Sequence, residues 1–209
     1  MKQERLFAAN EVLAGLSLAA LAFVWLLAFN QLAPESLAWT LTRVSGVLGY
    51  SFLALSVALG ALTASKYIPQ WLSKALQYGW HGLLSGFSLA LVGVHVAYTL
   101  VDTQYPQTLL GILLPGLATY APLALALGTL ATYGMVTVYI SFASKNKLPR
   151  RVWRTLHLLA YPSFILATLH GLWAGSDNLG LLYTGAAGMV IVTFLLRIFE
   201  VRSARQVKA

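Results

Sequence analysis

Six long apolar segments constrain what this chain can fold into. They lie near residues 8–31, 40–64, 77–101, 119–142, 155–174 and 180–200. Roughly 20 consecutive apolar residues suffice to cross the hydrocarbon layer of a bilayer as a helix. The sequence therefore predicts an all-α integral membrane protein, a six-helix bundle that forms a single domain over residues 1–209. The first segment is too long for the core of a signal peptide, and we expect a retained helix there.

Composition narrows the function classes. The chain is 58% hydrophobic and only 10% charged, whereas soluble domains carry about 25% charged residues. It contains no cysteine, which excludes disulfides, iron–sulfur ligation and covalent haem attachment. The net charge is +8, and the basic residues lie in short clusters between apolar segments. This distribution indicates that they determine membrane topology, and it argues against nucleic acid as a partner.

The basic residues are distributed asymmetrically. In the predicted topology, one side of the membrane holds Lys2, Arg5, Lys66, Lys74, Lys145, Lys147, Arg150, Arg151, Arg154, Arg197, Arg202, Arg205 and Lys208. The other side holds Glu35, Asp102 and Asp177, with Arg43 as its single cation. By the positive-inside rule both termini are cytoplasmic, and the expected location is a bacterial inner (plasma) membrane.

All four histidines lie inside predicted spans. His81 and His95 are 14 residues apart on the third span, and His157 and His170 are 13 apart on the fifth. These spacings correspond to roughly 20 Å along a helix. The two spans run in the same direction, so His81 can meet His157 near the cytoplasmic face and His95 can meet His170 near the outer face. Ionisable side chains inside a membrane are costly and usually functional.

The number of ligands at each level discriminates between metals. Zinc sites require three or four protein ligands, whereas a haem iron takes two axial ligands and obtains the other four from the porphyrin. The pattern therefore predicts two non-covalent b-type haems stacked between the third and fifth spans. Thirteen residues of ideal helix would aim His157 and His170 about 140° apart. Because Pro162 lies between them, we expect a distortion near residues 158–163 that turns both toward the third span.

Several other features allow more than one interpretation. Arg43 lies level with the outer histidine pair, where it could contact a haem propionate, contact a substrate, or simply extend to the interface. Gly82, Gly86 and Gly93 could serve helix packing or leave room for porphyrin.

The connection 102–118 is apolar enough to lie in the interface or to fold back as a lid. Trp80 and Trp173 flank the histidine levels but are typical of interfacial aromatic belts. Arg150, Arg151 and Arg154 serve topology first and could also face the inner haem or an acidic partner.

These motifs resemble those of the ferric reductase-like transmembrane domain family. The family includes ferric reductases, NADPH oxidases and the haem-binding subunit of a bacterial sulfoxide reductase system. The resembling segments are TRVSGVLGYSFLALSVALGAL at 42–62, WHGLLSGFSLALVGVHVAY at 80–98 and RRVWRTLHLLAYPSFILATLHGLWAGSDN at 150–178. The resemblance implies that His81, His95, His157 and His170 are axial haem ligands and that Arg43 lies near the outer haem.

The resemblance also frames the function. It implies an oxidoreductase component that moves electrons across the membrane, without catalytic side chains of its own. No GxGxxG or phosphate loop is present, so we expect a cytoplasmic flavin reductase, with its flavin, or a quinone as electron donor. Ferric iron, oxygen or a partner enzyme would be the outer acceptor. Two alternatives remain open: a haem-binding anchor subunit of a periplasmic oxidoreductase, and a haem-free transporter or structural bundle whose histidines join helices.

Overall fold

The chain is described by a computed structural model that covers residues 35–63, 74–175 and 177–206. Side chains are described within 37–63, 77–175 and 177–200. The predicted span 8–31 lies outside these residues, as do Lys2, Arg5, Lys66 and Lys208. The described chain consists of helices and their connections and contains no strand.

The described residues form seven helices. These are α1 (Glu35–Leu62), α2 (Lys74–Val101), α3 (Leu109–Leu113), α4 (Pro122–Ala143), α5 (Arg150–His157), α6 (Ala160–Ala174) and α7 (Gly180–Gln206). Five stretches within them are long and apolar enough to cross a membrane: Leu37–Leu62, Gln77–Val101, Pro122–Ala143, Arg150–Ala174 and Gly180–Glu200. They agree with the second to sixth predicted spans to within a few residues. The protein is therefore a helical integral membrane protein.

Helix α1 is the centre of the described bundle. It packs along most of its length against α2, and it also contacts α6 and α7. Buried Tyr50 stacks on Phe164 of α6 and meets Tyr183 of α7, with ring centroids 5.6 Å and 4.9 Å apart. The Tyr50 hydroxyl lies 3.1 Å from the hydroxyl of Thr168. The peripheral helices expose large apolar side chains such as Leu123 and Leu181, as expected where lipid replaces water.

The ends of the bundle differ in charge. Arg43, Asp102 and Asp177 lie at one end, which we call the low-charge end. The α4–α5 connection lies at the other, the basic end, with Lys145, Lys147, Arg150, Arg151 and Arg154. Helix α4 begins at the low-charge end with Pro122 at its first position, where the missing N–H costs no helical hydrogen bond.

The fifth predicted span is interrupted between α5 and α6. Leu158 and Leu159 form a turn in which the N–H of Leu159 bonds to the carbonyl of Leu156, three residues back, at 3.1 Å. The N–H of Tyr161 bonds to the Leu158 carbonyl at 3.2 Å. In a regular helix that carbonyl would accept from residue 162, but Pro162 has no N–H to donate. The distortion predicted near residues 158–163 is confirmed, and it lies between the two histidines of this span.

Candidate functional site

The four histidines meet as the two predicted pairs. The ring centroids of His81 and His157 are 6.1 Å apart, with an interplanar angle of 71°. Those of His95 and His170 are 6.0 Å apart at 81°. The first pair lies toward the basic end and the second toward the low-charge end. Thus the helical break before Pro162 accompanies an arrangement in which both histidines of the fifth span face those of α2.

Three of the histidine rings are held by a backbone carbonyl of the neighbouring helix. His81 Nδ1 lies 3.0 Å from the Ser56 carbonyl, which α1 supplies. His95 Nδ1 lies 2.8 Å from the Thr42 carbonyl, and His170 Nδ1 lies 2.8 Å from the Ala124 carbonyl.

These bonds set the tautomer of each ring. A carbonyl oxygen can only accept a hydrogen bond, so Nδ1 carries the proton in His95 and His170, and the carbonyl at 3.0 Å favours the same tautomer in His81, whose Nδ1 also lies 3.1 Å from the Ser56 hydroxyl. In a neutral imidazole, Nε2 then keeps its lone pair. Metal-binding histidines are typically oriented in this way, with one ring nitrogen donating to a carbonyl and the other free to coordinate.

A glycine lies beneath each of these three rings. A Cβ added to Gly46 would lie 2.8 Å from Nδ1 of His95, and one at Gly60 would lie 3.0 Å from Cε1 of His81. A Cβ at Gly128 would lie 2.8 Å from Nδ1 of His170. Contacts this short would force the ring to move, so the absence of a side chain lets each histidine lie directly on the helix.

The same local arrangement is repeated three times. In each case the accepting carbonyl belongs to the residue four positions before the glycine: Thr42 before Gly46, Ser56 before Gly60 and Ala124 before Gly128. We call Gly46, Gly60 and Gly128 the seat glycines. One turn of helix thus provides both the space for a histidine ring and the carbonyl that orients it.

The fourth histidine is held differently. His157 stacks on Trp153 of its own helix, with ring centroids 5.5 Å apart and an interplanar angle of 28°. Its Nδ1 is buried and has no hydrogen-bond partner among the described residues, and the same holds for Nε1 of Trp153. The level at the basic end therefore has one ring tied to a carbonyl, whereas the level at the low-charge end has two.

The spacing of the paired rings suits two axial ligands on one metal. A metal–imidazole bond is about 2 Å, and the coordinating nitrogen lies about 1.1 Å from the ring centre. Two imidazoles on opposite sides of one ion would therefore have centres about 6 Å apart. The interplanar angle does not alter this distance, because each ring can rotate about the common axis.

Each histidine pair offers only two protein ligands, so a metal bound there would have to receive its other ligands from a non-protein group. Within the described residues, no group of three or more His, Cys, Asp or Glu side chains could hold a metal ion. A zinc site is therefore not supported at either level. Helices α2 and α6, which carry His95 and His170, do not pack extensively on each other, whereas α1 packs against both of them.

A largely apolar cavity opens around His95 and His170 at the low-charge end. His95 and His170 line it together with Gly46, Gly128 and the aromatic residue Tyr183. Ile112 and Leu113 of the 102–118 connection also line it. The connection folds back against α4, which is one of the two placements predicted for it.

Arg43 borders this cavity and forms an ion pair. Its guanidinium contacts the Asp177 carboxylate, with Nε donating at 2.8 Å to Oδ2. It also lies 5.8 Å from the ring centroid of Trp39. Arg43 was predicted at this level, whereas its pairing with Asp177, which also borders the cavity, was not.

The remaining candidates have fewer contacts. A Cβ at Gly82, Gly86 or Gly93 would have nothing within 4 Å, so no described helix packs closely against these three positions. Trp80 and Trp173 are exposed, as belt residues are. The predicted roles of the glycines for porphyrin, and of Arg150, Arg151 and Arg154 toward a haem or partner, stay predictions.

Comparison with known proteins adds no family to this description. No protein-family profile matches the chain, and neither a curated protein nor a solved structure matches it.

Proposed function

We propose that this protein is a transmembrane electron-transfer cytochrome that holds two b-type haems, one between His81 and His157 and one between His95 and His170. The observation that carries the proposal is the repeated pair geometry. Two levels each present facing imidazoles about 6 Å between centroids, with no third protein ligand at either level in the described chain. Bound haem would supply an iron that exchanges single electrons.

The residues around the histidines fit this role. A hydrogen bond from Nδ1 to a carbonyl fixes ring orientation and makes Nε2 a stronger electron donor to a metal. The seat glycines let three rings lie directly against the neighbouring helices α1 and α4, so each ring is supported on its Nδ1 side and its Nε2 would bind the haem iron. Arg43 would meet a propionate of the haem at the low-charge level, sharing its charge with Asp177.

The two levels together would form a route across the bilayer. His81 and His95 are 14 residues apart on α2, or about 21 Å, which is most of a hydrocarbon layer about 30 Å thick. The positive-inside rule assigns the basic end to the cytoplasm. Electrons would enter near His81 and His157 and leave near His95 and His170.

The donor and acceptor follow from the resemblance to ferric reductase-like membrane domains. A cytoplasmic flavoprotein or a membrane quinone would supply electrons. Ferric iron, oxygen or a periplasmic partner enzyme would receive them at the low-charge end.

A haem-free bundle is the second candidate, and one observation favours it. Three histidines hydrogen-bond a neighbouring helix, which is how polar side chains join helices in membranes. Such a role requires only one nitrogen of each ring. It gives no reason for the rings to meet in pairs, or for Nε2 of His81, His95 and His170 to lack a hydrogen bond within the described chain.

Electron transfer can be tested in sealed proteoliposomes. A membrane-impermeant reductant is enclosed, ferricyanide is added outside, and its reduction is followed by absorbance. We expect reduction that depends on the protein and is lost in His95→Ala. Haem-loaded protein that transfers no electrons would contradict the proposed function and would favour an anchor subunit, which requires its partner enzyme.

A further inference from the structure

The connection between α2 and α4 carries a short helix that follows α4 back toward the middle of the bundle. Helix α3 begins after Thr108, whose hydroxyl accepts from the Gly111 N–H at 3.0 Å. From residue 103 to residue 144 the sequence contains no charged residue. A connection exposed to water would ordinarily contain some.

Two backbone carbonyls at the end of α3 are bound by side chains of α4. The Thr129 hydroxyl lies 2.8 Å from the Ile112 carbonyl, closer than the 3.1 Å to the Leu125 carbonyl of its own helix. The Tyr133 hydroxyl donates to the carbonyl of Leu113. Helix ends leave such carbonyls without partners, and water normally satisfies them.

The position of these bonds along α4 gives their depth. Thr129 and Tyr133 lie seven and eleven residues after Pro122, or about 10 and 16 Å along the helix. The 22 residues of α4 extend about 33 Å, close to the hydrocarbon thickness of a bilayer. The two carbonyls therefore lie well inside the span. Backbone outside a spanning helix is tolerated at that depth only when protein groups satisfy its polar atoms.

The outer surface of this segment is apolar. Gly111 is buried, whereas the leucines at 109, 110, 113, 114 and 117 are exposed, with Leu110 at 63%. This surface continues into the lipid-facing side chains of α4, Leu123 and Leu130.

We propose that residues 109–117 form a re-entrant segment immersed in the acyl chains of one leaflet. Its depth follows from Thr129, which adjoins the seat glycine Gly128, so the end of α3 lies at the level of His95 and His170. Ile112 and Leu113 then form the wall between the cavity at the low-charge end and the lipid. The inference does not depend on haem, because it rests on the position of α3 along a spanning helix.

Cysteine labelling tests the immersion directly, since the chain has no native cysteine. Single variants Leu110→Cys and Leu113→Cys are compared with Leu130→Cys as the lipid-facing control and Gln104→Cys as the aqueous control. Membranes are treated with maleimide–polyethylene glycol, and shifted bands are quantified against SDS-denatured samples. Maleimide reacts with the thiolate, which does not form in hydrocarbon.

We expect Leu110→Cys and Leu113→Cys to label as slowly as Leu130→Cys, at least about tenfold slower than Gln104→Cys. Adding Thr129→Val should raise the labelling rate of Leu113→Cys, because the Ile112 carbonyl loses its partner. Labelling of Leu110→Cys and Leu113→Cys at the rate of Gln104→Cys would overturn the immersion. An unchanged rate in the Thr129→Val background would overturn the anchoring. Haem content is measured on the same samples and reports on the proposed function separately.

Discussion

Replacing Gly128 with alanine would place a methyl carbon 2.8 Å from Nδ1 and 3.0 Å from Cγ of His170. The ring would have to move away from α4 and would lose its hydrogen bond to the Ala124 carbonyl. Overpacking a filled site costs about 1–3 kcal/mol. Loss of a hydrogen bond behind a metal-binding histidine costs about 10–100-fold in affinity, or about 1.4–2.8 kcal/mol.

The expected effect is thus a 10–100-fold weaker affinity for haem at the low-charge level. Alanine is favoured over glycine in a helix by about 1 kcal/mol, so the haem-free protein should not be destabilised through helix propensity. Gly86→Ala is the matched control, because a Cβ there would have nothing within 4 Å.

The assay is haem titration of haem-free protein in detergent, followed at the Soret band and by haem stoichiometry. Gly86→Ala should bind like the unmodified chain, and Gly128→Ala should show one weakened site. Haem affinities in Gly128→Ala that match those of the unmodified chain at both sites would refute the role of this glycine as the seat of His170.

Four further substitutions test other parts of the proposed structure and function. Arg43→Gln should lower the midpoint potential of the haem at the low-charge level, because it removes a positive charge beside it, and Asp177→Asn should raise that potential, because it removes a negative one. In a potentiometric titration, unchanged potentials or shifts of the same sign would contradict this placement. Pro162→Ala should let the fifth span continue as a regular helix, which would turn His157 away from His81 and remove mainly the haem between these two histidines. A variant that keeps both haems would show that the proline does not cause the break. Tyr50→Phe removes a hydrogen bond to a threonine hydroxyl and should lower the free energy of unfolding by about 0.6–1 kcal/mol, measured by thermal denaturation in detergent.

The spans and the levels of the histidines along them could be predicted because both depend on local sequence. Length and apolarity determine which segments cross a membrane, and the positions of His81 and His95 along one helix follow from helical rise alone. The break before Pro162 was also predictable, because a proline inside a helix removes a specific hydrogen bond. These features need no knowledge of which helices are neighbours.

The seat glycines and the Arg43–Asp177 pair depend on helix adjacency and could not be derived in the same way. Gly46 and Gly60 are 14 residues apart, the same separation as His81 and His95, and this match is the sequence signal that each glycine faces one of these histidines. Reading it requires knowing that α1 packs on α2. The placement of α3 likewise depends on hydroxyl groups of α4 that look unremarkable in sequence.

The central claim is that each histidine pair holds one haem, and haem stoichiometry by the pyridine haemochrome assay tests it most directly. Protein expressed with ample haem should contain about two b-type haems per chain, with the spectrum of six-coordinate iron. His95→Ala should reduce this to about one, and His81→Ala should do so independently. A colourless protein, or a His95→Ala variant that retains both haems, would contradict the account.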